Sequence, residues 1–435
     1  MEKAKLLERE ALQVSKNIDV WHPYSQHAID QEPILIDRAQ GALLFTKDGK
    51  QIIDAISSWW VTLHGHAHPD IKNSISKQLE RLEHVMFAGF THEPAIKLAQ
   101  KLLSILPDGF SKVFYSDNGS TAVETALKMA FQFFYNENSS TNKKKVIAFR
   151  GSYHGDTFGS MSVSQRDLFA NPFSHALFEV DYIDPPVLGT EERSIMQMEA
   201  ILKRNETACF IFEPIVQGAS GMKKHSSRGL NKLIKLCQHY GALTIADEVM
   251  TGLGRLGPNF AIDMLNVVPD IICIAKGLTG GFIPLGATVC REEIFRKFLS
   301  KERKKAFLHG HSYAGNPLAC ASALASLELL DSKKCMSQRE FIQSQHERFL
   351  TNWIDHPKIS NSYVLGTLLS IEYKSNEASS YFSLLRNRLL KHFISEGILI
   401  RPLGNKIHIL PPYCIEQSQL EKVYRAIEKT LEQDL

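Results

Sequence analysis

Pro269-Asp270-Ile271-Ile272-Cys273-Ile274-Ala275-Lys276-Gly277-Leu278-Thr279-Gly280-Gly281 is an apolar run closed by Pro-Asp on one side and a glycine cluster on the other. A short run so bounded reads as a buried β-strand. It delivers a lysine to its end, where glycines let backbone or ligand approach closely. An ammonium placed there loses hydration unless something compensates it. In a partly desolvated cleft its pKa falls, and the amine becomes a candidate imine-forming nucleophile. It could equally snorkel from the strand end into water. The stretch alone leaves both readings open.

Working outward, short β-rich runs alternate with helical stretches from about residue 70 to 320. The runs are 112–115, 146–149, 209–213, 243–247, 271–276 and 287–289; the helical stretches are 70–82, 94–106, 120–135 and 230–240. This alternation predicts an α/β fold with a mostly parallel sheet covered on both faces. Ligands in such sheets gather at the carboxyl ends of strands. Asp247 and Lys276 both fall at such ends, one crossover apart. Their pairing could be a plain salt bridge. It could also be the acid that keeps a pyridinium nitrogen protonated while the lysine carries the carbonyl carbon of pyridoxal phosphate.

Three loops add candidates. Ser116-Asp117-Asn118-Gly119-Ser120-Thr121 follows a strand and opens an amphipathic helix, so its amides and hydroxyls suit an anion. An ordinary N-cap explains the same residues. Gly151-Ser152-Tyr153-His154-Gly155-Asp156 sets an aromatic ring and an acid at another strand end, where a planar cofactor could stack; a glycine-rich turn with a core tyrosine is the plain alternative. Gly252-Leu253-Gly254-Arg255-Leu256-Gly257 matches a dinucleotide fingerprint. The acids Asp247 and Glu248 before it and Pro258 after it argue against that use. His64, His66 and His68 alternate as metal ligands might, but Gly65 and Pro69 break an extended strand, so capping or hydrogen-bonding loop histidines are expected.

Composition bounds the rest. The chain has 435 residues, net charge +3, 44% hydrophobic and 22% charged residues, as for a globular protein of two or three domains. No long basic run stands out beyond the three residues Lys143-Lys144-Lys145, so nucleic-acid binding is not expected. Seven scattered cysteines without a CxxC suggest reduced thiols and a cytoplasmic protein. No apolar run approaches the ~20 residues of a membrane span, and Met1 to Glu10 lacks a signal-peptide core. An N-terminal helix is expected there, followed by a hairpin around Asp48-Gly49. We expect an N-terminal segment over 1–60, a large domain over 61–320, and a smaller α+β domain over 321–435.

Taken together, these stretches resemble the class-III, fold-type-I pyridoxal-phosphate aminotransferases from about residue 20 to 412. Thr244-Ile245-Ala246-Asp247-Glu248 with Gly252-Leu253-Gly254-Arg255, Lys276-Gly277-Leu278-Thr279-Gly280-Gly281, Glu213-Pro214-Ile215-Val216-Gln217-Gly218 and the stretch from His311 to Ala319 carry the resemblance. Trp21-His22-Pro23-Tyr24, Ser57-Ser58-Trp59-Trp60 and Arg401-Pro402-Leu403-Gly404 are similar to the biotin-pathway branch. That branch aminates 8-amino-7-oxononanoate and usually takes the amino group from S-adenosylmethionine.

The resemblance implies a seven-stranded, mostly parallel sheet and a homodimer with shared active sites. It implies that Lys276 carries the cofactor and moves the reacting proton, and that Asp247 pairs with the ring nitrogen. Gly119 and Ser120 would hold the phosphate, with Ser312 of the second subunit, and Tyr153 would stack on the ring. Tyr24, Trp59, Trp60 and Tyr153 would line the substrate channel beside Gly310, Tyr24 would also count among the catalytic residues with Lys276 and Asp247, and Arg401 would clamp a carboxylate. One departure stands out: Gly310-His311-Ser312 replaces the usual Gly-Pro-Thr, which keeps a hydroxyl but adds a larger polar ring at His311, near the cofactor. Lysine as donor, another ω-amino acid or diamine as substrate, and an aminomutase on the same fold remain the alternatives.

Overall fold

The computed structural model describes residues 19–30, 32–166, 169–375 and 383–432; the expected N-terminal helix falls mostly in residues 1–18, outside them. The first strands are β1 (Ile36–Gln40), β2 (Leu43–Thr46) and β3 (Gln51–Asp54), paired antiparallel in sequence order. The turn between β2 and β3 is the one that Asp48-Gly49 predicts: Gly49 has φ +85°, and its amide donates to the Thr46 carbonyl.

The central sheet is built from β4 (Phe110–Ser116), β5 (Lys145–Phe149), β6 (Val180–Ile183) and β7 (Thr207–Phe212). A two-residue hairpin, β8 (Val216–Gln217) and β9 (Lys223–Lys224), then leaves the sheet. The chain returns through β10 (Leu243–Asp247), β11 (Ile271–Ile274) and β12 (Gly286–Arg291). The order is β4-β12-β11-β10-β7-β5-β6, with β12 antiparallel to both its neighbours and every other pairing parallel. The mostly parallel seven-stranded sheet is therefore present.

Both faces are covered, as fully buried strands require. Alternate residues separate the two sides: Ile147, Phe149, Phe210 and Phe212 join the larger core. Val146, Ala148, Cys209 and Ile211 pack instead against the helix Gly119–Glu137. That helix presents Ala122, Val123, Ala126, Leu127 and Ala130 as one stripe.

The helix Pro317–Leu330 opens where the Asn316 side chain accepts the Ala319 amide at 3.1 Å and Pro occupies the first turn. It leads into the long helix Lys333–Trp353. Strands β13 (Ile359–Leu365) and β14 (Leu368–Tyr373) form an antiparallel pair. Strand β15 (Ile398–Leu399) runs parallel to β3, so the earliest strands and the C-terminal region share one sheet, while β16 (Lys406–Ile409) pairs with β14. Arg255, inside the glycine-rich loop, is buried and ties these parts together. It donates to the Trp60 carbonyl at 3.1 Å and to that of Pro411 at 3.0 Å. The fingerprint glycines thus serve a turn without a following helix.

Candidate active site

The run ending at Lys276 is shorter than the sequence suggests. Strand β11 stops at Ile274, and Lys276 opens a 3-10 turn (Lys276–Thr279) with φ +47°, a left-handed conformation that costs a residue with a side chain about 1–2 kcal/mol. Two glycines explain why the turn must be there. A Cβ on Gly277 would lie 2.7 Å from Leu63, and one on Gly281 would lie 3.1 Å from the Thr62 backbone. The lysine loop is thereby pressed onto the segment that carries Trp60. Lys276 Nζ sits 4.7 Å over the Trp60 ring. Burial depresses its pKa below that of an ordinary lysine, with Arg255 adding a little and Asp247 and Glu213 opposing.

Asp247 ends β10 beside Cys273 of β11. One carboxylate oxygen accepts the Val249 amide at 3.0 Å; the other lies 2.7 Å from Nδ1 of His154. Both side chains are buried, and His154 Nε2 has no partner there. Behind them Glu213 accepts the Tyr153 and Gly218 amides at 3.1 and 2.8 Å. Burial pushes its carboxyl up to about 7, against the pull of His154.

At the far side, the helix Gly119–Glu137 points its first turn into the same space. Asn118 accepts the Thr121 amide and donates its own to the Thr121 hydroxyl, a capping box. The N-cap and anion-site readings are thus compatible: Asn118 does the capping, and Gly119 and Ser120 line the cavity.

The substrate-side candidates cluster through a strained strap. Ser57, Ser58, Trp59 and Trp60 all have positive φ, between 46° and 73°, forming a left-handed turn without a single glycine. Asp54 holds it. Its oxygens accept the Ser58 amide and hydroxyl, each at 2.8 Å, and lie 2.9 Å from His66 Nε2. Trp60 Nε1 donates to His408 at 3.1 Å. Trp59 is turned outward, 4.8 Å beneath the Arg401 guanidinium and 5.4 Å from the Tyr24 ring. The Tyr24 hydroxyl meets Asp156, which also accepts from Tyr153 at 3.0 Å.

A cavity of about 630 Å³ joins Lys276, Asp247, His154, Gly119, Ser120 and Tyr153, with Trp60 on its wall. That volume suits a small molecule. Tyr24, Trp59 and Arg401 are outside its lining and form a cluster joined to it through Asp156 and Tyr153. Gly310, His311 and Ser312 do not line it either; His311 Nε2 comes within 4.0 Å of Asp117, which does.

A pyridoxal-phosphate-like group fits these residues. An amine, a buried carboxylate, an aromatic face and a helix N-terminus share the one cavity, and His154 offers it a buried nitrogen with no partner. His154, Glu213, Asp54 and Arg255 had no assigned role on sequence grounds. Their signal is a charged or polar residue at a strand end or in a glycine-rich loop, and their burial is what singles them out. The three alternating histidines diverge: His64 meets the Ser326 hydroxyl, His66 meets Asp54, and His68 accepts the Asp70 amide.

Residues 24–431 match the family model for class-III aminotransferases. An adenosylmethionine-8-amino-7-oxononanoate aminotransferase of Synechococcus elongatus is 43% identical over 95% of this chain and 98% of that protein. The crystal structure of the enzyme of that name from Methanocaldococcus jannaschii superposes with TM-score 0.88 at 32% identity, over 99% of this chain and 100% of that one. An amine transaminase from an uncultivated Pseudomonas species, in its PLP-bound form, gives TM-score 0.88 at 28% identity, over 94% and 98%.

Proposed function

This chain belongs to the class-III aminotransferases, and from that premise we propose that it aminates the 7-keto carbon of 8-amino-7-oxononanoate to give 7,8-diaminononanoate, with S-adenosylmethionine as donor. The observation that carries the reading is similarity along nearly the whole chain to relatives named for that reaction. Its cofactor is pyridoxal 5'-phosphate, which when bound supplies an electron sink for the carbon that gains or loses the amino group.

In this reading Lys276, whose burial favours the neutral amine, would hold the cofactor's carbonyl carbon, and its Nζ would be the atom that takes up and returns the reacting proton. Asp247, fixed by His154 and the Val249 amide, holds the ring nitrogen's proton in place. Gly119 and Ser120 bind the phosphate at a helix N-terminus. Tyr153 supplies a stacking face, and Trp60 walls the lysine side of the cavity. Outside, Tyr24 and Trp59 form the apolar channel, and Arg401, stacked on Trp59, receives the nine-carbon chain's carboxylate.

Gly310, His311 and Ser312 are assigned to the substrate and phosphate sites of a partner in a homodimer, with active sites shared between the two copies. Two adjoining segments support this. Met86, Phe90 and Tyr313 are exposed, and the segments that carry them meet where the Tyr313 ring is 5.1 Å from that of His84 and Asn316 donates to the Glu83 carbonyl. Apolar exposure of that kind marks an interface. A cytoplasmic location agrees with the seven cysteines, all free. Among the described residues no helix is long and apolar enough to cross a membrane.

The test supplies holoenzyme with 8-amino-7-oxononanoate and either S-adenosylmethionine or lysine, and reads the product by mass spectrometry. Diaminononanoate is expected with S-adenosylmethionine. Product with lysine alone would replace the donor and leave the acceptor standing. No product with either, alongside turnover of a diamine or ω-amino acid, would overturn the substrate.

A further inference from the structure

The hairpin β8–β9 has two sides, and only one faces the active site. On the inner side Ala219 lines the active-site cavity, and a Cβ on Gly218 would lie 3.1 Å from Met250 and 3.5 Å from Trp60. On the outer side Gln217, Ser220 and Met222 line a second, larger and open cavity of about 1130 Å³, bordered by the hairpin, residues 187–191, the segment before and at the start of the helix Ser227–His239, and β13, β14 and β16.

The charge of that cavity is one-sided. Arg150, Lys223, Lys224, Arg228 and Lys406 line it against the carboxylates Glu191 and Glu372. Lys406 pairs with Glu372 at 3.3 Å and Arg150 with Asp184 at 3.2 Å. Among the described residues, Lys223, Lys224 and Arg228 have no salt-bridge partner. Glu191 accepts the Gly189 amide at 2.8 Å and keeps its negative charge, which Arg228 feels from beyond salt-bridge distance, so the basic residues outnumber the acids without being wholly unopposed. Concentrated positive charge in a concave wall attracts anions.

The lining also holds buried polar atoms without a well-formed hydrogen bond, although the Glu213 backbone lies close to the His225 ring. His225 is 3% exposed, and neither ring nitrogen makes a hydrogen bond of ordinary geometry; the Gln217 side-chain oxygen is likewise without a partner. Buried polar groups are rarely left so unless a ligand or water meets them. Burial, with Lys223 adding to it, pushes His225 down to about 3, so the ring is neutral and offers one N–H to an acceptor.

We propose that this second cavity binds a small molecule bearing phosphate or carboxylate groups, held by Lys223, Arg228 and His225 on the side of the β8–β9 hairpin opposite the active site. None of these three residues lines the active-site cavity, so the site stands independently of the catalytic reading. A ligand there would lie against the hairpin whose other side lines the active-site cavity through Ala219.

The test uses holoenzyme fixed by borohydride reduction, so that its cofactor cannot leave and the cofactor's phosphate position stays filled. Inorganic pyrophosphate and citrate are titrated separately by calorimetry at constant ionic strength. At least one probe should bind one site per chain with a dissociation constant below about 1 mM. Lys223→Glu and Arg228→Glu, on a strand and a helix respectively, should each weaken it by about ten-fold or more, a loss of about 1.4 kcal/mol. Arg401→Ala should leave it unchanged. The response to pyrophosphate against citrate distinguishes a phosphate from a carboxylate ligand. Absence of saturable binding by both probes, indifference to both charge reversals, or loss of binding on Arg401→Ala would each overturn the proposal.

Discussion

His154 Nδ1 lies 2.7 Å from a carboxylate oxygen of Asp247, and both side chains are buried at the floor of the active-site cavity. The remaining Asp247 oxygen is taken by the Val249 amide, so the carboxylate is held in one orientation by two partners. His154 stands in a loop after β5 and Asp247 at the end of β10, and the sheet order β10-β7-β5 sets them face to face across β7.

That arrangement makes His154 a positioning residue. Replacing it by Ala removes a hydrogen bond to a charged group, worth about 1.5–3 kcal/mol. Cofactor retention, measured by equilibrium dialysis, should weaken by about ten- to hundred-fold. Asn, whose amide can reach toward Asp247, should restore part of it. Dialysis values for the Ala variant matching the unaltered enzyme would remove the role.

Lys276 should behave as an amine that is easy to deprotonate. Lys276→Ala should abolish the visible absorption that the cofactor shows when covalently attached. In cofactor-free enzyme, the rate of recombination with pyridoxal phosphate should rise with pH around a midpoint below the 10.5 of an ordinary lysine, because burial disfavours the ammonium. A midpoint at the ordinary value would contradict the burial argument.

These residues also show what the sequence makes legible. Strand β10 and the acid at its end follow from an apolar run with its boundaries, and the order of strands and helices gives the sheet. The lysine turn is less legible, because Lys276 adopts a left-handed φ where Gly277 and Gly281 pack closely on Leu63 and Thr62, contacts that are distant in sequence. The strap is least so. Ser-Ser-Trp-Trp carries no glycine and no turn signature, and its conformation depends on Asp54 and on the distant carbonyl of Leu410, which the Ser57 hydroxyl meets at 2.8 Å. Pairings such as β3 with β15 and His154 with Asp247 exist only once the chain is folded.

Asp54 should therefore control the substrate channel as well as stability. Four successive left-handed residues cost about 1–2 kcal/mol each, and Asp54 is the buried acceptor that offsets part of this. Asp54→Ala strands the Ser58 amide and hydroxyl and His66, a loss of about 3 kcal/mol. Urea unfolding should show the loss, and KM for the keto acid should rise because Trp59 leaves its place under Arg401. A stability loss with unchanged KM would separate Asp54 from the channel.

Arg401 should act on the acceptor. Its guanidinium lies 4.8 Å over Trp59, where the proposed function places the channel for the nine-carbon acid. Arg401→Ala should weaken binding of the keto acid by about 2–4 kcal/mol, as when a charged hydrogen-bonded partner is removed. Stopped-flow measurement of the acceptor half-reaction checks it, and unchanged saturation would reassign the carboxylate to another residue.

Glu248 gives a pH-dependent stability with a defined sign. It is buried next to Asp247, accepting the Thr251 hydroxyl and, at 2.7 Å, the Ile262 amide. Burial raises its carboxyl from 4.5 to about 7. The folded state therefore binds a proton more tightly than the unfolded chain. The stabilisation is complete below about pH 4.5 and is lost as pH rises through about 7. The change amounts to a few kcal/mol, because a tenfold difference in proton affinity is worth about 1.4 kcal/mol. Glu213, also raised to about 7, adds in the same direction. Glu248→Gln keeps the shape and removes the ionisation. Thermal unfolding of both proteins from about pH 5 to 9, a range that spans the raised carboxyl, should show the variant gaining relative stability as pH increases. A constant difference across that range would mean that Glu248 is ionised in the folded protein throughout.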